Sequence, residues 1–200
     1  MNIKHKVIII DDVVDKETQD IIEQTVFGKD TQWTLGRSVF YEKHPEVTDL
    51  QRNNLMSFTK SLLRFDDRYI DKDAGLYCQV LQSATDKLNM AVTNLLTARL
   101  QLQPPVPSDK PYGVPHVDGY RDRPYMVAVY YVNDSDGDTV MFKQTIHDTT
   151  PEQILNGELE IDSTVSPKKG RIILFDGDIY HAVGKPTKDF RCIINYNFYT

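Results

Sequence analysis

The chain has 200 residues, of which 40% are hydrophobic, so it is long enough for a sizeable core, and we expect a single domain over residues 1–200. A formal net charge of -6 at pH 7 excludes the broad basic surface that holds a nucleic-acid backbone, so no non-specific nucleic-acid partner is expected. The two cysteines have no framework spacing and the opening apolar run is short, which predicts a reduced, cytoplasmic protein without a signal peptide or membrane span.

The first predicted elements are a strand and a helix. An apolar run at residues 7–10 predicts the strand. The helix is predicted over residues 16–27, with Asp15 as the N-cap and Gly28 as the stop. Four apolar residues of this helix are predicted to form its buried stripe: Ile21, Ile22, Val26 and Phe27.

Two further helices are predicted before residue 100. Trp33 and residues 39–41 first suggest a short extended segment. A helix over residues 48–65 follows. The clearest helix covers residues 74–99, because its apolar residues repeat at helical spacing between polar ones. Residues 1–99 are therefore expected to be mainly helical support.

Residues 100–200 are expected to form a barrel core of strands. A strong turn at residues 133–138 is predicted to join the strand at 127–131 to the strand at 139–142 as a hairpin. A capping-box sequence predicts one or two helical turns over residues 150–157. Helices first and strands later predict an α+β fold in which helices buttress a sandwich or barrel.

Three side chains form a candidate metal site. His116 and Asp118 stand two residues apart, so on an extended strand they point to the same side. His181 is predicted to end a second apolar strand, 172–175, and could complete the set if that strand folds back. Two histidines and one carboxylate suit a non-haem Fe(II) site, whereas each residue alone would be an ordinary loop or core residue. The other histidines lack a partner at ligand spacing: His5, His44 and His147.

The last strand, residues 191–198, has two different faces. Period two places one all-apolar set on the face expected to meet the helices: Cys192, Ile194, Tyr196 and Phe198. The face that carries Arg191 and Asn195 should then line the interior. A buried guanidinium needs a carboxylate there, and the alternatives are a surface arginine or a salt bridge to one of the chain's own acids.

In this order, residues 115–118, 130–133, His181 and Arg191, with the strand start at 137–139, resemble the Fe(II)- and 2-oxoglutarate-dependent oxygenases. The resemblance is greatest to their prolyl-hydroxylase-like branch and covers the second half of the chain. The Tyr-Tyr-Val-Asn run and the Arg-x-x-x-Asn-x-Asn ending are also similar to small stand-alone members encoded by large tailed phages. A phage-encoded member would work in the host cytoplasm.

This resemblance implies a double-stranded β-helix, a jelly roll whose open end holds the metal. It implies Fe(II), 2-oxoglutarate and O₂, with ascorbate as a supporting reductant. The implied metal ligands are His116, Asp118 and His181. The implied co-substrate residues are Arg191, Asn195 and Tyr131, the second tyrosine of its strand, whereas Tyr130 is expected to pack against a helix.

The implied reaction hydroxylates an unactivated C–H bond and releases succinate and CO₂. A prolyl residue of a protein or peptide is the first substrate to test. The same site could instead oxidise a free amino acid or another small metabolite, and a barrel that binds metal or ligand without turnover is the non-enzymatic alternative. The sequence leaves the substrate and the oligomeric state open.

Overall fold

The computed structural model describes residues 7–36, 56–107, 110–119 and 123–200. The predicted extended segment at 39–41 and the first part of the predicted helix at 48–65 lie outside these ranges, as do His5 and His44. The described elements are, in chain order, β1 (Ile8–Ile10), α1 (Lys16–Val26), β2 (Thr34–Gly36), β3 (Ser57–Arg64), β4 (Tyr69–Ile70), α2 (Ala74–Lys87), β5 (Asn94–Gln103), β6 (Met126–Tyr131), β7 (Thr139–Thr145), α3 (Pro151–Leu155), β8 (Ile161–Val165), β9 (Ile172–Asp176), β10 (Ile179–Val183) and β11 (Arg191–Tyr199).

Two antiparallel sheets face each other. The major sheet has eight strands in the order β1-β9-β6-β11-β5-β3-β2, with β4 paired to β3, and the minor sheet has the order β10-β7-β8. Residues of both sheets share one buried cluster, which includes Tyr131 of β6, Met141 of β7 and Ile179 of β10. The interior of the molecule therefore lies between the sheets, and the predicted α+β class is confirmed.

Helices α1 and α2 cover the outer face of the major sheet. Their buried residues form one cluster with the outward-pointing residues of β6 and β11, among them Tyr130 and Tyr196. The Tyr196 hydroxyl donates a hydrogen bond to the backbone oxygen of Tyr77 on α2 at 2.7 Å. The predicted alternation of β11 and the packing of Tyr130 toward the helices are confirmed, so the opposite faces of these strands point into the interior.

Helix α1 begins as predicted. The Asp15 side chain accepts from the Thr18 backbone N–H at 2.8 Å, which satisfies one of the free donors of the first turn. Ile22 and Val26 are fully buried, but Ile21 and Phe27 are 45% and 44% exposed. The predicted stripe was too wide, because residues 22 and 26 are one turn apart while 21 and 27 lie to either side of that line.

Two predicted helices are wrong in whole or in part. Residues 57–64 form strand β3, although they were assigned to a helix over 48–65. The helix predicted over 74–99 ends at Lys87, since Asn89 has a left-handed backbone with φ 50°, and β5 begins at Asn94. Tertiary pairing explains both errors, because β5 lies between β3 and β11 and each strand gains its hydrogen bonds from distant residues.

The predicted hairpin between residues 127–131 and 139–142 is also wrong. Strand β6 pairs with β9 and β11, whereas β7 pairs with β8 and β10. The turn at 133–138 therefore carries the chain from one sheet to the other. The short helix α3 does have its predicted capping box, formed by Thr150 and Gln153. None of the helices in the described ranges is long and apolar enough to cross a membrane.

Candidate metal centre and adjoining arginine pocket

His116 and His181 lie directly opposite each other. The His116 N–H donates to the His181 oxygen at 2.8 Å, and the His181 N–H donates to the His116 oxygen at 2.9 Å. Residues that exchange both backbone bonds in an antiparallel pair project to the same side. The two imidazole centroids are accordingly 4.5 Å apart. His181 lies on β10 of the minor sheet and does not end the 172–175 strand, which corrects the predicted position.

The backbone fixes which ring nitrogens are free. Nδ1 of His116 lies 3.1 Å from the Val114 oxygen, and Nδ1 of His181 lies 3.2 Å from the Ile179 oxygen. Since a carbonyl oxygen can only accept, each Nδ1 carries a hydrogen, and in the neutral imidazole that binds a metal the lone pair is therefore on Nε2. Burial, followed by the neighbouring His181, lowers the pKa of His116 from 6.5 to about 3, so this imidazole stays neutral near pH 7.

Asp118 completes the cluster. Its Oδ1 is 3.8 Å from Nε2 of His116 and 3.6 Å from Nε2 of His181. Burial favours a raised pKa for Asp118, but its contact with His181 and the charge of Arg99 hold the pKa below its ordinary value. The carboxylate is therefore ionised and acceptor-only. Ligand atoms of the three residues lie within 4.8 Å of one another, and the described ranges contain no second cluster of this kind.

A chain of amides holds the Asp118 carboxylate. Asn195 Nδ2 donates to Asp118 Oδ2 at 2.6 Å, and Asn197 Nδ2 donates to Asn195 Oδ1 at 3.1 Å. Asn197 Nδ2 also donates to Thr97 Oγ1 at 2.9 Å. Asn195 was expected beside the co-substrate, but in the structure its amide contacts the candidate metal ligand. The sequence signal for this role was the position of Asn195 on the interior face of β11.

These donors fit a divalent transition metal. Two imidazole nitrogens and one carboxylate oxygen lie close together, and hydrogen bonds within the described residues do not use all of their lone pairs. Such a set of ligands suits Fe(II) and leaves coordination positions open for other ligands. His147 is not part of this cluster. Its side chain is 72% exposed and pairs with Asp178 at 3.0 Å. An exposed hydrogen bond of that type needs no metal.

Arg191 is the first residue of β11 and lies in a second, buried pocket. Its side chain is 1% exposed. The guanidinium donates to three neutral oxygens: Gly137 O at 2.8 Å, Gln103 Oε1 at 2.9 Å and Thr139 Oγ1 at 2.8 Å. The Tyr131 hydroxyl and Thr139 Oγ1 are 2.7 Å apart, so both residues belong to the same network.

This pocket has more donors than acceptors. Arginine offers five N–H groups, and the described residues supply three acceptors and no ion-pair partner for Arg191. Because the guanidinium can only donate, Gln103 must turn its oxygen toward Arg191. Its Nε2 is then buried without a hydrogen-bond partner among the described residues. Burial lowers the pKa of Arg191, and an anion in the pocket would oppose that shift.

Gln103 and Thr139 are the pocket residues that sequence reasoning did not assign. Gln103 is opposite Arg191 in the β5–β11 pairing, a contact between residues far apart in the sequence. Thr139 was noticed only as part of a strand start. Its hydrogen bond to Arg191 depends on the crossover between the sheets, which was predicted as a hairpin. Neither role had a local sequence signal.

No protein-family model matches the chain, and a comparison with curated proteins gave no match. Solved structures do match nearly all of it. A prolyl-4-hydroxylase from Pseudomonas putida is 15% identical, with a TM-score of 0.56, and the match covers 97% of this chain and 92% of that one. A viral collagen prolyl hydroxylase from Paramecium Bursaria Chlorella virus-1, solved with 2OG, is 13% identical, with a TM-score of 0.58 and coverage of 99% and 98%.

A third match is to an epimerase. The epimerase SnoN, in complex with Fe3+, alpha ketoglutarate and nogalamycin RO, is 11% identical, with a TM-score of 0.60 and coverage of 96% and 78%. At these identities the similarity establishes the fold. The two facing sheets, with α1 and α2 on the outer face of the major sheet, are a double-stranded β-helix, and the predicted fold class is confirmed.

Proposed function

We propose that this chain, which has the double-stranded β-helix fold of the 2-oxoglutarate- and Fe(II)-dependent oxygenases, is a dioxygenase of that type. One observation carries the proposal. A cluster with unused lone pairs, at His116, Asp118 and His181, shares one interior with a buried arginine that has unused N–H groups. The first suits a metal ion and the second suits a carboxylate.

Fe(II) would be held by His116, Asp118 and His181. A carboxylate of 2-oxoglutarate would be bound by Arg191, together with Gln103 and the hydroxyls of Tyr131 and Thr139. When bound with O₂, this iron and 2-oxoglutarate supply the oxidation that converts a C–H bond to C–OH, with succinate and CO₂ as the other products. Asn195 keeps the Asp118 carboxylate in place through its 2.6 Å hydrogen bond.

The interior wall keeps the site dry. Val127 and Val129 of β6 and Phe175 of β9 are buried in the cluster between the sheets. The Phe175 ring packs edge-on against His181, with centroids 4.9 Å apart. Apolar packing of this kind restricts the imidazole to one orientation and excludes water, which strengthens the charge interactions of the site.

As substrate we propose a prolyl residue of a protein or peptide, supported by the two prolyl hydroxylases with the same fold. A free amino acid or another small metabolite is the second candidate. The fold of SnoN, solved with nogalamycin RO, supports a small molecule. We further propose a reducing compartment such as the cytoplasm, since both cysteines are free.

The experiment is a turnover assay after anaerobic loading with Fe(II). With 2-oxoglutarate and air, we expect release of succinate, and with a host lysate we expect single-oxygen additions that mass spectrometry locates on prolyl residues or on free metabolites. His116→Ala should abolish turnover. His147→Ala removes an exposed histidine instead and should retain it. Absence of succinate from a folded, iron-loaded protein, or turnover that survives His116→Ala, would contradict the proposal.

A further inference from the structure

Arg99 brings a positive charge to the metal centre. It lies on β5 opposite Asn195 of β11 and Ser61 of β3. Asn195 lies on the interior face of β11. Because directly paired residues of neighbouring strands point to the same side of a sheet, Arg99 lies on the interior face of β5. One guanidinium nitrogen, Nη2, is 3.6 Å from Asp118 Oδ1. Sequence reasoning assigned no role to this arginine.

The structure does not satisfy this guanidinium. Its Nε is buried and finds no hydrogen-bond partner among the described residues. The contact with Asp118 Oδ1 is longer than a normal hydrogen bond, and the same oxygen faces both histidines. Asp118 Oδ2 already accepts from Asn195. A buried donor left unpaired costs free energy, so the position of Arg99 calls for another acceptor.

The strand neighbours of Arg99 on this face are neutral. The strand neighbours of Arg99 here are Asn195 and Ser61, and the next interior positions along β5 and β11 are Thr97 and Asn197. Lys60, one residue from Ser61, pairs with Asp71. Asp118 is therefore the acid that the described residues bring to Arg99. The Arg99 side chain is 23% exposed, which leaves the guanidinium accessible to an incoming molecule.

We infer that Arg99 recognises a carboxylate on the substrate, beside the carbon that reacts. The inference rests on the proposed function and narrows its substrate class. Once Asp118 ligates a divalent cation, its negative charge is shared with that cation, and Arg99 loses its only described counter-charge. A planar guanidinium then offers two parallel N–H groups to a carboxylate. The carboxylate belongs either to a free amino acid or to an acidic side chain that flanks the reacting residue of a peptide.

Three variants test the inference. Arg99→Gln removes the positive charge. Arg99→Lys keeps the charge but lacks the two parallel N–H groups of a guanidinium. Lys168→Gln is the matched control, because it removes one positive charge from a surface pair with Asp11. For each protein, Mn(II) affinity and 2-oxoglutarate affinity are first measured by calorimetry under argon. Arg99→Gln removes a positive charge beside Asp118, which favours cation binding, so we expect none of the three variants to weaken either affinity by more than about twofold.

The substrate test uses matched probes that differ in one charge. Binding to the protein loaded with Mn(II) and 2-oxoglutarate is measured for L-proline against L-prolinamide, for the other free amino acids against their amides, and for capped Glu-Pro-Gly against capped Gln-Pro-Gly. We expect at least one carboxylate probe to bind wild type about 10- to 100-fold more tightly than its amide. Arg99→Gln should abolish that preference, Arg99→Lys should keep part of it, and Lys168→Gln should keep it all.

The probes distinguish the two possible sources of the carboxylate, and other outcomes would contradict the inference. A preference among the amino acids identifies a free α-carboxylate, and a preference in the peptide pair identifies a flanking acid. Equal binding of acids and amides, failure of wild type to bind any carboxylate probe, or a preference that survives Arg99→Gln would overturn the inference. So would a parallel loss of Mn(II) or 2-oxoglutarate affinity in Arg99→Gln, which would make Arg99 a support for Asp118 or a co-substrate contact. None of these readouts requires turnover, so a failure of the proposed dioxygenase activity is seen separately by the succinate assay.

Discussion

The metal centre and the arginine pocket are opposite in their hydrogen-bond balance. At the metal centre, the two Nε2 atoms and Asp118 have lone pairs that protein donors do not use, while the Nδ1 atoms form hydrogen bonds with backbone oxygens. In the arginine pocket, Arg191 and Gln103 have N–H groups that no acceptor among the described residues uses. One region is built to take a cation and the other to take an anion. A ligand such as 2-oxoglutarate, which chelates a metal at one end and ends in a carboxylate, would complete both.

The largest effect that separates the two regions is expected from Arg191→Met. The substitution removes all donors of the guanidinium, and two charge-assisted hydrogen bonds are worth about 3 kcal/mol or more. The affinity for 2-oxoglutarate, measured by calorimetry with Mn(II) under argon, should therefore fall about 100-fold. Mn(II) affinity without 2-oxoglutarate should change little, because Arg191 contacts none of the three candidate ligands.

Arg171→Met is the matched control for Arg191. Arg171 also has charge-assisted bonds, but they go to Asp11 on the surface. The affinity for 2-oxoglutarate should be that of wild type in this variant. An equal loss of Mn(II) and 2-oxoglutarate affinity in Arg191→Met would show that the two regions are one structural unit and would remove the distinction between them.

Acid should act on the metal centre and much less on the arginine pocket. Burial lowers the pKa of His116 from 6.5 to about 3 in the folded protein, so the unfolded chain binds this proton more readily. The contribution to stability is complete above about pH 6.5 and is lost progressively as the pH falls toward 3. Between pH 7 and 5, metal-free wild type should lose about 2 kcal/mol of unfolding free energy through this group.

Urea unfolding in the presence of a chelator measures this loss. His116→Gln cannot take up the proton, so its stability should fall less between the same two pH values. His147→Gln, which changes an exposed histidine, should follow wild type. If wild type and His116→Gln lose the same free energy, protonation of this imidazole is not what makes the metal centre acid-sensitive.

Asn195→Ala should weaken the metal centre by a smaller factor. Loss of the 2.6 Å bond to Asp118 Oδ2 leaves this carboxylate less firmly oriented, and partners of metal ligands are typically worth 10- to 100-fold in affinity. We expect Mn(II) binding about 10-fold weaker, with the binding of 2-oxoglutarate to the Mn(II)-saturated protein nearly unchanged. The opposite result, weak 2-oxoglutarate binding with normal Mn(II) binding, would support the co-substrate role first predicted for Asn195.

The sequence predicted the parts of both regions that depend on local spacing. His116 and Asp118 are two residues apart, and the alternation of β11 placed Arg191 and Asn195 on the interior face. It did not predict parts that depend on distant pairing. Residues 57–64 and 94–99 have apolar residues at spacings that suit a helix, and only their neighbours in the sheet make them strands. His181 was placed on the wrong strand for the same reason, since its partner across the bridge is 65 residues earlier, at His116.

Gln103 is the sharpest case of such distant pairing, and its variant should have the smallest effect. Gln103→Leu removes the buried Nε2 that has no partner and also the acceptor of one Arg191 N–H. If Nε2 is a donor to the co-substrate, 2-oxoglutarate affinity should fall about fivefold, the value of one neutral hydrogen bond of about 1 kcal/mol, while Mn(II) affinity stays constant. Gln103→Glu is the informative counterpart. A carboxylate there would pair with Arg191 and neutralise the guanidinium, so its loss of 2-oxoglutarate affinity should exceed that of Gln103→Leu. Equal affinities in both variants would show that the pocket does not select its ligand by charge.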